Sequence, residues 1–310
     1  MLTAVYLLAG ILLLYAGAEA LVRGGASLAL RMGISPLVVG LTVISFGTSA
    51  PELLVSFKAA MDHNSPIALG NVIGSNIANI ALVLGLAALI RPIRVEQQVI
   101  RREIPIMLIA SIILCGMLWN GRLSRIEGAL LFAALIAYTV FSIRLSRKER
   151  RTPPNDVPAQ RRSAPLSAGM VILGLALLVP GAHVFVLGAV TVAERLGVSA
   201  FVIGLTVVAI GTSLPEIATS VVAAIKGEGD MAVGNAVGSN IFNIFCILGL
   251  TALVFEVEGN GVAWIDLGAM LTVALVSLPI MRTGFRINRW EGAGLLTAYT
   301  AYLAYLLQRA

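Results

Sequence analysis

The sequence predicts an all-α integral membrane protein of ten transmembrane helices in two inverted five-helix halves, and three observations carry that prediction. Of its 310 residues, 58% are hydrophobic and only 12% charged, against roughly 45–50% and about 25% in soluble domains. The apolar residues lie in continuous runs, not in the alternation of a membrane β-barrel. The two halves also match each other at a constant offset of 164 residues. At about 20 apolar residues per crossing, the chain has material for about ten helices and for no large soluble domain.

In order, apolar segments run over 2–22, 36–58, 66–90, 104–120 and 124–145, within a first half of residues 1–145. A second set, over 165–190, 200–225, 231–255, 262–281 and 287–308, fills residues 165–310. Ala18-Glu19-Ala20 mimics a signal-peptide cleavage site, but the first segment lacks a basic start and reads as a retained helix. Glu19 and Arg23, four apart at its end, predict an interfacial ion pair. In the second and seventh segments Pro51 and Pro215 have no amide hydrogen, so the carbonyls of Gly47 and Gly211 lose their helical partners. In the third and eighth, Gly70, Gly74, Gly234 and Gly238 give small surfaces for close helix approach. Residues 146–164, with six basic residues around Pro153, Pro154 and Pro158, read as a solvated linker. Cys115 and Cys246 lie in apolar stretches, which indicates no disulfide framework.

With the linker cytoplasmic, only Lys58, Arg122, Arg125, Arg195 and Arg309 of the 22 basic residues fall outside, so both termini are expected outside. The net charge of +6 is then a property of loops and does not point to nucleic acid. Within the repeat, Gly47-Thr48-Ser49-Ala50-Pro51-Glu52 returns as Gly211-Thr212-Ser213-Leu214-Pro215-Glu216. Gly70-Asn71-Val72-Ile73-Gly74-Ser75-Asn76-Ile77 returns as Gly234-Asn235-Ala236-Val237-Gly238-Ser239-Asn240-Ile241, and Leu41-Thr42-Val43 as Leu205-Thr206-Val207. Five crossings separate the copies. Five is odd, so the halves face opposite ways, the plan of many secondary transporters.

The repeated segments hold the chemistry. Glu52 and Glu216 sit well inside apolar helices, where an ionised carboxylate costs at least a few kcal/mol. The bland account is a protonated pair serving helix packing; intramembrane carboxylates more often mark an ion path. Ser45, Thr48, Ser49, Glu52 and Ser56 share one helix face at three- and four-residue spacings. Thr212, Ser213, Glu216 and Ser220 repeat it, with Ala209 in place of Ser45. Asn71, Ser75 and Asn79, and likewise Asn235, Ser239 and Asn243, line one face of the next helix. Asn79 and Asn243, deeper along their helices, are the better ligand candidates. Carboxylate, hydroxyl, amide and backbone oxygens suit Na⁺ or Ca²⁺ and argue against zinc or copper. Two readings from other classes compete. An intramembrane serine protease would use Ser49 or Ser213 with His63 or His183 as base, and a cation channel would use the same oxygens without counter-transport.

At these residues the sequence resembles the sodium/calcium exchanger family, part of the calcium/cation antiporter superfamily. The resemblance implies ten helices in two inverted halves, with ions held between helices 2, 3, 7 and 8. It implies that Glu52 and Glu216 are central ligands shared by Ca²⁺ and Na⁺, and that Thr48 and Thr212 contribute backbone carbonyls. Ser49, Ser75, Ser213 and Ser239 match positions lining flanking Na⁺ sites, with backbone oxygens from Ser45 and Ala209. Some relatives, including potassium-dependent ones, carry aspartate where this chain has Asn243, and proton-coupled relatives carry Gly-Asn-x-x-Glu in place of Gly-Thr-Ser-x-Pro-Glu. The implied activity is electrogenic, K⁺-independent exchange of Na⁺ for Ca²⁺ by alternating access, with H⁺/Ca²⁺ exchange as the alternative and a channel more distant. No enzymatic activity and no cofactor are expected, only Ca²⁺ and Na⁺ as substrates and the bilayer as partner. The short linker implies the absence of large cytosolic Ca²⁺-sensing domains, and a compact monomer of a prokaryotic inner membrane.

Overall fold

The computed structural model describes residues 2–149, 163–197, 209–259 and 264–309. Most of the linker and the start of the seventh segment, including Leu205-Thr206-Val207, lie outside the described residues.

The first helix, α1 (Leu2–Met32), runs ten residues past its expected end. Residues 23–32 contain no proline, and the Glu19–Arg23 pair joins consecutive turns of the helix. The stop comes at Gly33, whose φ of 64° is the left-handed conformation glycine supplies to end helices. The second segment divides into α2 (Pro36–Thr48) and α3 (Ala50–Met61), bent by 47°. Then follow α4 (Ser65–Ile90), α5 (Val99–Asn120) and α6 (Arg125–Glu149). The second half gives α7 (Ala164–Arg195), α8 (Ala209–Thr212), α9 (Leu214–Lys226), α10 (Gly229–Val254), α11 (Trp264–Arg282) and α12 (Arg289–Arg309). Among the described residues seven helices are long and apolar enough to cross a membrane: α1, α4, α5, α6, α7, α10 and α11. The bent α2–α3 pair makes an eighth.

Helices α4 and α10 are the centre of the molecule. Both are largely buried along their apolar lengths, whereas α6 turns most of its surface outward. Around them α1 and α7 pack as an antiparallel pair through glycines at seven-residue intervals: Gly10, Gly17 and Gly24 on one helix, Gly174, Gly181 and Gly188 on the other. A Cβ at Gly17 would lie 2.9 Å from the Gly174 carbonyl oxygen, so only glycine permits this approach. Ser167 adds a hydroxyl hydrogen bond to Ser27 across the pair, at 2.8 Å.

The all-α expectation needs one amendment. Among the described residues four two-residue strands occur where loops leave the helices: β1 (Ile93–Arg94), β2 (Arg122–Leu123), β3 (Val257–Glu258) and β4 (Arg286–Ile287). β1 pairs antiparallel with β4, and β2 with β3. β1 and β3 are 164 residues apart, as are β2 and β4, so one cross-half contact is made twice. Extended backbone leaving a helix end has unpaired amides, and a strand from the other half satisfies them.

Candidate ion-binding site

The site starts from two breaks. α2 ends and α3 begins around Ser49 (φ −85°, ψ 9°), two residues before Pro51. In the second half Ser213 (φ −87°, ψ 5°) divides α8 from α9 in the same way. Each proline stands in the first turn after its break, where a missing amide hydrogen costs no helical bond. The break therefore falls ahead of the proline and sets Glu52 and Glu216 in the first turns of α3 and α9. There the positive end of the helix dipole favours a carboxylate.

Both glutamates are buried, at 1% and 0% exposure. The serine at each break serves the glutamate of the other half. Ser49 Oγ donates to Glu216 Oε1 at 2.9 Å, and Ser213 Oγ donates to Glu52 Oε1 at 3.5 Å. Thr48 and Ser239 also border Glu216. Among the described residues neither carboxylate has a basic partner, and Oε2 of both glutamates, with Oδ1 of Asn79 and of Asn243, is buried without a hydrogen bond. Leaving such oxygens unmatched costs several kcal/mol for charged groups, and a hard cation is the species that would satisfy a set made of oxygens alone. The candidate donors are oxygens, with neither His nor Cys among them, a set that suits a hard cation better than zinc.

The remaining predicted residues divide into lining and scaffold. Ser75 and Ser239 are buried, at 5% and 0% exposure. The Ser45 hydroxyl donates to Gly40 O at 2.6 Å and lies 3.0 Å from Asn235 O, while the Ser45 carbonyl accepts the Ser49 N–H at 3.0 Å. Thr48 Oγ1 donates to Asn235 Oδ1 at 3.1 Å. Thr48 therefore fastens α2 to α10, while the Ser45 hydroxyl bonds within α2 and lies against α10. Thr212 closes α8, and Ala209 is its first described residue, with a side chain outside the described set. A Cβ at Gly234 would lie 2.7 Å from Leu37 O, which is why α10 can approach α2 this closely. The matching contact of Gly70 and Gly74 falls by the 164-residue offset on residues outside the described set.

Asn71 and Asn235 hold the kinks. Asn71 Nδ2 donates to Glu52 O (3.1 Å) and Ser56 Oγ (2.9 Å), and Asn235 Nδ2 donates to Glu216 O (3.4 Å) and Ser220 Oγ (3.0 Å). Each asparagine thus ties down the backbone at the glutamate of its own half. Sequence reasoning passed over Asn76 and Asn240, both buried, with Asn240 Nδ2 donating to Asn76 O at 3.0 Å. Their recurrence at the 164-residue offset was the available signal. It also missed the π-helical turns Gly40–Ile44, Asn79–Leu84 and Asn243–Leu248, two of which open at a candidate ligand. Single π turns gather at functional sites because they loosen the regular hydrogen-bond ladder.

The protease reading finds no geometry. Ser49 and Ser213 are buried, whereas His63 and His183 are exposed, so neither histidine serves either serine as a base. The predicted Glu19–Arg23 pair forms and is extended by Lys226 Nζ, 3.0 Å from Glu19 Oε1, which links α1 to the end of α9.

A family described as sodium/calcium exchanger protein matches residues 2–144 and 166–308, two stretches offset by 164 residues at both ends. The inner membrane protein YrbG of Escherichia coli (strain K12) is 38% identical over 315 residues, covering 99% of this chain and 97% of the relative. The sodium/calcium exchanger MaX1 of Methanosarcina acetivorans is 34% identical, covering 97% of each. A solved structure of the sodium-calcium exchanger NCX_Mj, soaked with zero Na⁺ and Ca²⁺, superposes with a TM-score of 0.85 at 34% identity, over 98% of this chain and 99% of that one.

Proposed function

This chain belongs to the sodium/calcium exchanger family, and we propose that it is an inner-membrane antiporter that exchanges Na⁺ for Ca²⁺ at one shared site between the two repeats. The observation that carries this reading is the crossed arrangement of Ser49 on Glu216 and Ser213 on Glu52, beside four buried oxygens with no donor. Two glutamates give a formal charge of −2, which one Ca²⁺ neutralises and two or three Na⁺ match closely. A buried pocket that is stable only when filled, by either ion, couples their movements, because the empty carboxylate pair is the costly state. The ligands of this reading are Glu52, Glu216, Asn79, Asn243, Ser49, Ser213, Ser75 and Ser239, with backbone oxygens from Ser45, Thr48, Ala209 and Thr212.

Ten crossings in two inverted halves, residues 1–145 and 165–310, fit the strand pairings. β1 follows the third crossing and β4 the ninth; β2 follows the fourth and β3 the eighth. A pair needs both its strands on one side, and three with nine, or four with eight, meets that condition. The repeat mates β1 and β3 then lie on opposite sides, which is inversion. Lys226 with Glu19, Arg91 with Ile225 O (2.5 Å) and Arg289 with Ile90 O (3.3 Å) gather the basic loops on one face. We read that face as cytoplasmic, with both termini outside.

The test is transport. Proteoliposomes loaded with Na⁺ are expected to take up Ca²⁺ when diluted into Na⁺-free buffer, and to stop when the Na⁺ gradient is dissipated. Uptake that ignores Na⁺ and follows a pH gradient would assign the chain to proton coupling. Uptake that needs neither gradient would make it a channel.

A further inference from the structure

We propose that Asn76 is a positioning residue for the ion site, whose side-chain carbonyl fixes which way the Asn243 amide faces; this rests on the ion-site reading above. Asn76 lies on α4 at 2% exposure, directly between the repeats. Its Oδ1 accepts a hydrogen bond from Asn243 Nδ2 at 2.9 Å. An amide has an accepting and a donating end, so committing Nδ2 to Asn76 turns Asn243 Oδ1 the other way. That oxygen is buried without a partner, the condition of a cation ligand. Were Asn76 to present its own NH₂ to Asn243, the Asn243 oxygen would turn toward it and the NH₂ would face the ions. One hydrogen bond therefore sets the sign of the dipole that the pocket feels.

Asn76 is held in this orientation by the rest of its surroundings. Its backbone carbonyl accepts Asn240 Nδ2 at 3.0 Å, and its own Nδ2 faces the Met270 thioether at 3.7 Å, a weak acceptor that makes no competing demand. The repeat mate does not reproduce the arrangement. Asn240 spends its Nδ2 on Asn76 O and Met107 Sδ, and its Oδ1 has no partner, so it does not pin Asn79 as Asn76 pins Asn243. The two halves of an otherwise symmetric pocket are thus unequal, and the Asn243 side is oriented before any ion arrives.

The test measures initial rates of Na⁺-dependent Ca²⁺ uptake by the full-length reconstituted protein, giving KM and maximal rate separately. Asn76→Leu removes the acceptor and is expected to raise the Ca²⁺ KM about fivefold, the scale of one hydrogen bond between neutral groups, with little change in maximal rate. In an Asn243→Ala background the same change is expected to add nothing to KM. An equal rise in both backgrounds, or none in the wild-type background, would overturn the proposal. An isosteric set covers the case in which leucine is not tolerated. Asn76→Asp keeps the acceptor and is expected to raise KM far less than loss of the Asn243 side chain does. Asn243→Asp is expected to retain measurable exchange, because the Asn76 amide turns over and donates to the new carboxylate. Combining the two faces carboxylates at hydrogen-bond distance with no donor between them, and exchange is expected to fall about tenfold or more below either single variant. A double variant as active as the singles would also overturn the proposal. Unmutated protein that fails to exchange Na⁺ for Ca²⁺ would instead fail the functional reading, so the two failures are separable.

Discussion

Glu52 and Glu216 differ from the other site residues in carrying charge, and glutamine isolates that difference. Each accepts a serine hydroxyl from the other half on Oε1 and leaves Oε2 unmatched in a buried place. Glutamine keeps the size and the acceptor, so the crossed serine contacts survive, but one of two charges opposing a divalent ion is gone. Glu52→Gln and Glu216→Gln are each expected to reduce Ca²⁺ uptake to background while the size-exclusion profile and helical content stay those of the unmutated protein. Wild-type uptake by both would refute the central placement. Much at this scale was legible in the sequence. Helical spacing put a serine on the face of each glutamate, but the structure crosses the pairs, Ser49 reaching Glu216 and Ser213 reaching Glu52; Oδ1 of Asn79 and of Asn243 lies buried without a partner. The hydroxyls of Ser45 and Thr48 were less legible. They face the same way as Glu52 on a helical wheel, yet both lie against α10 and Thr48 bonds to it, a neighbour no spacing within α2 reveals. Asn76 stayed hidden because it lies next to Ser75, one position off the four-residue stripe that was counted.

Elements were legible where backbone chemistry decides them. Pro51 and Pro215 announced a disturbed helix, and the break appears two residues earlier, at Ser49 and Ser213, because proline fits the first turn of the new helix. The π turns carried no such signal. Gly40–Ile44 ends where Ser45 donates to Gly40 O, five residues back, and lies against α10, a tertiary contact. The end of α1 was misplaced because polarity rises at Glu19 and Arg23, whereas the helix persists until Gly33. The glycine seam of α1 and α7 supplies a test of the element packing. The atom facing a Cβ at Gly17 is the Gly174 backbone oxygen, 2.9 Å away, which cannot swing aside as a side chain can. Gly17→Ala must therefore push the helices apart, at a cost of roughly 1–3 kcal/mol for overpacking. A lowered unfolding temperature in detergent is expected, with slowed exchange. The effect of Gly116→Ala, where nothing among the described residues lies within 4 Å of the new Cβ, is expected to be small. Equal melting shifts for the two would mean that the seam does not hold the pair together.

Across the whole molecule, charge decides how exchange responds to voltage. The acidic side chains of the proposed pocket are Glu52 and Glu216, because position 243 holds an amide. Loaded with Ca²⁺ the pocket is near neutral; loaded with three Na⁺ it stands at about +1, and burial makes any larger charge costly. A cycle of three Na⁺ for one Ca²⁺ then moves one net charge per turnover. That charge is worth roughly 2.3 kcal/mol per 100 mV, enough to change rates visibly across ordinary membrane potentials. Holding K⁺ as well would need further negative charge, which Asn243 does not supply. Uptake of Ca²⁺ by Na⁺-loaded proteoliposomes sends one net positive charge outward, so it is expected to accelerate when the interior is made positive, to slow when it is made negative, and to be unaffected by adding K⁺ at a fixed potential. Asn243→Asp is expected to make the exchange rate sensitive to K⁺ without abolishing exchange in its absence. The measurement is Ca²⁺ flux with the potential clamped by the gradient of an ion the protein does not carry, with and without K⁺ on both sides. Flux indifferent to the clamp would mean a two-for-one cycle, and a K⁺ requirement in the unmutated protein would mean that the pocket holds a negative group besides the two glutamates.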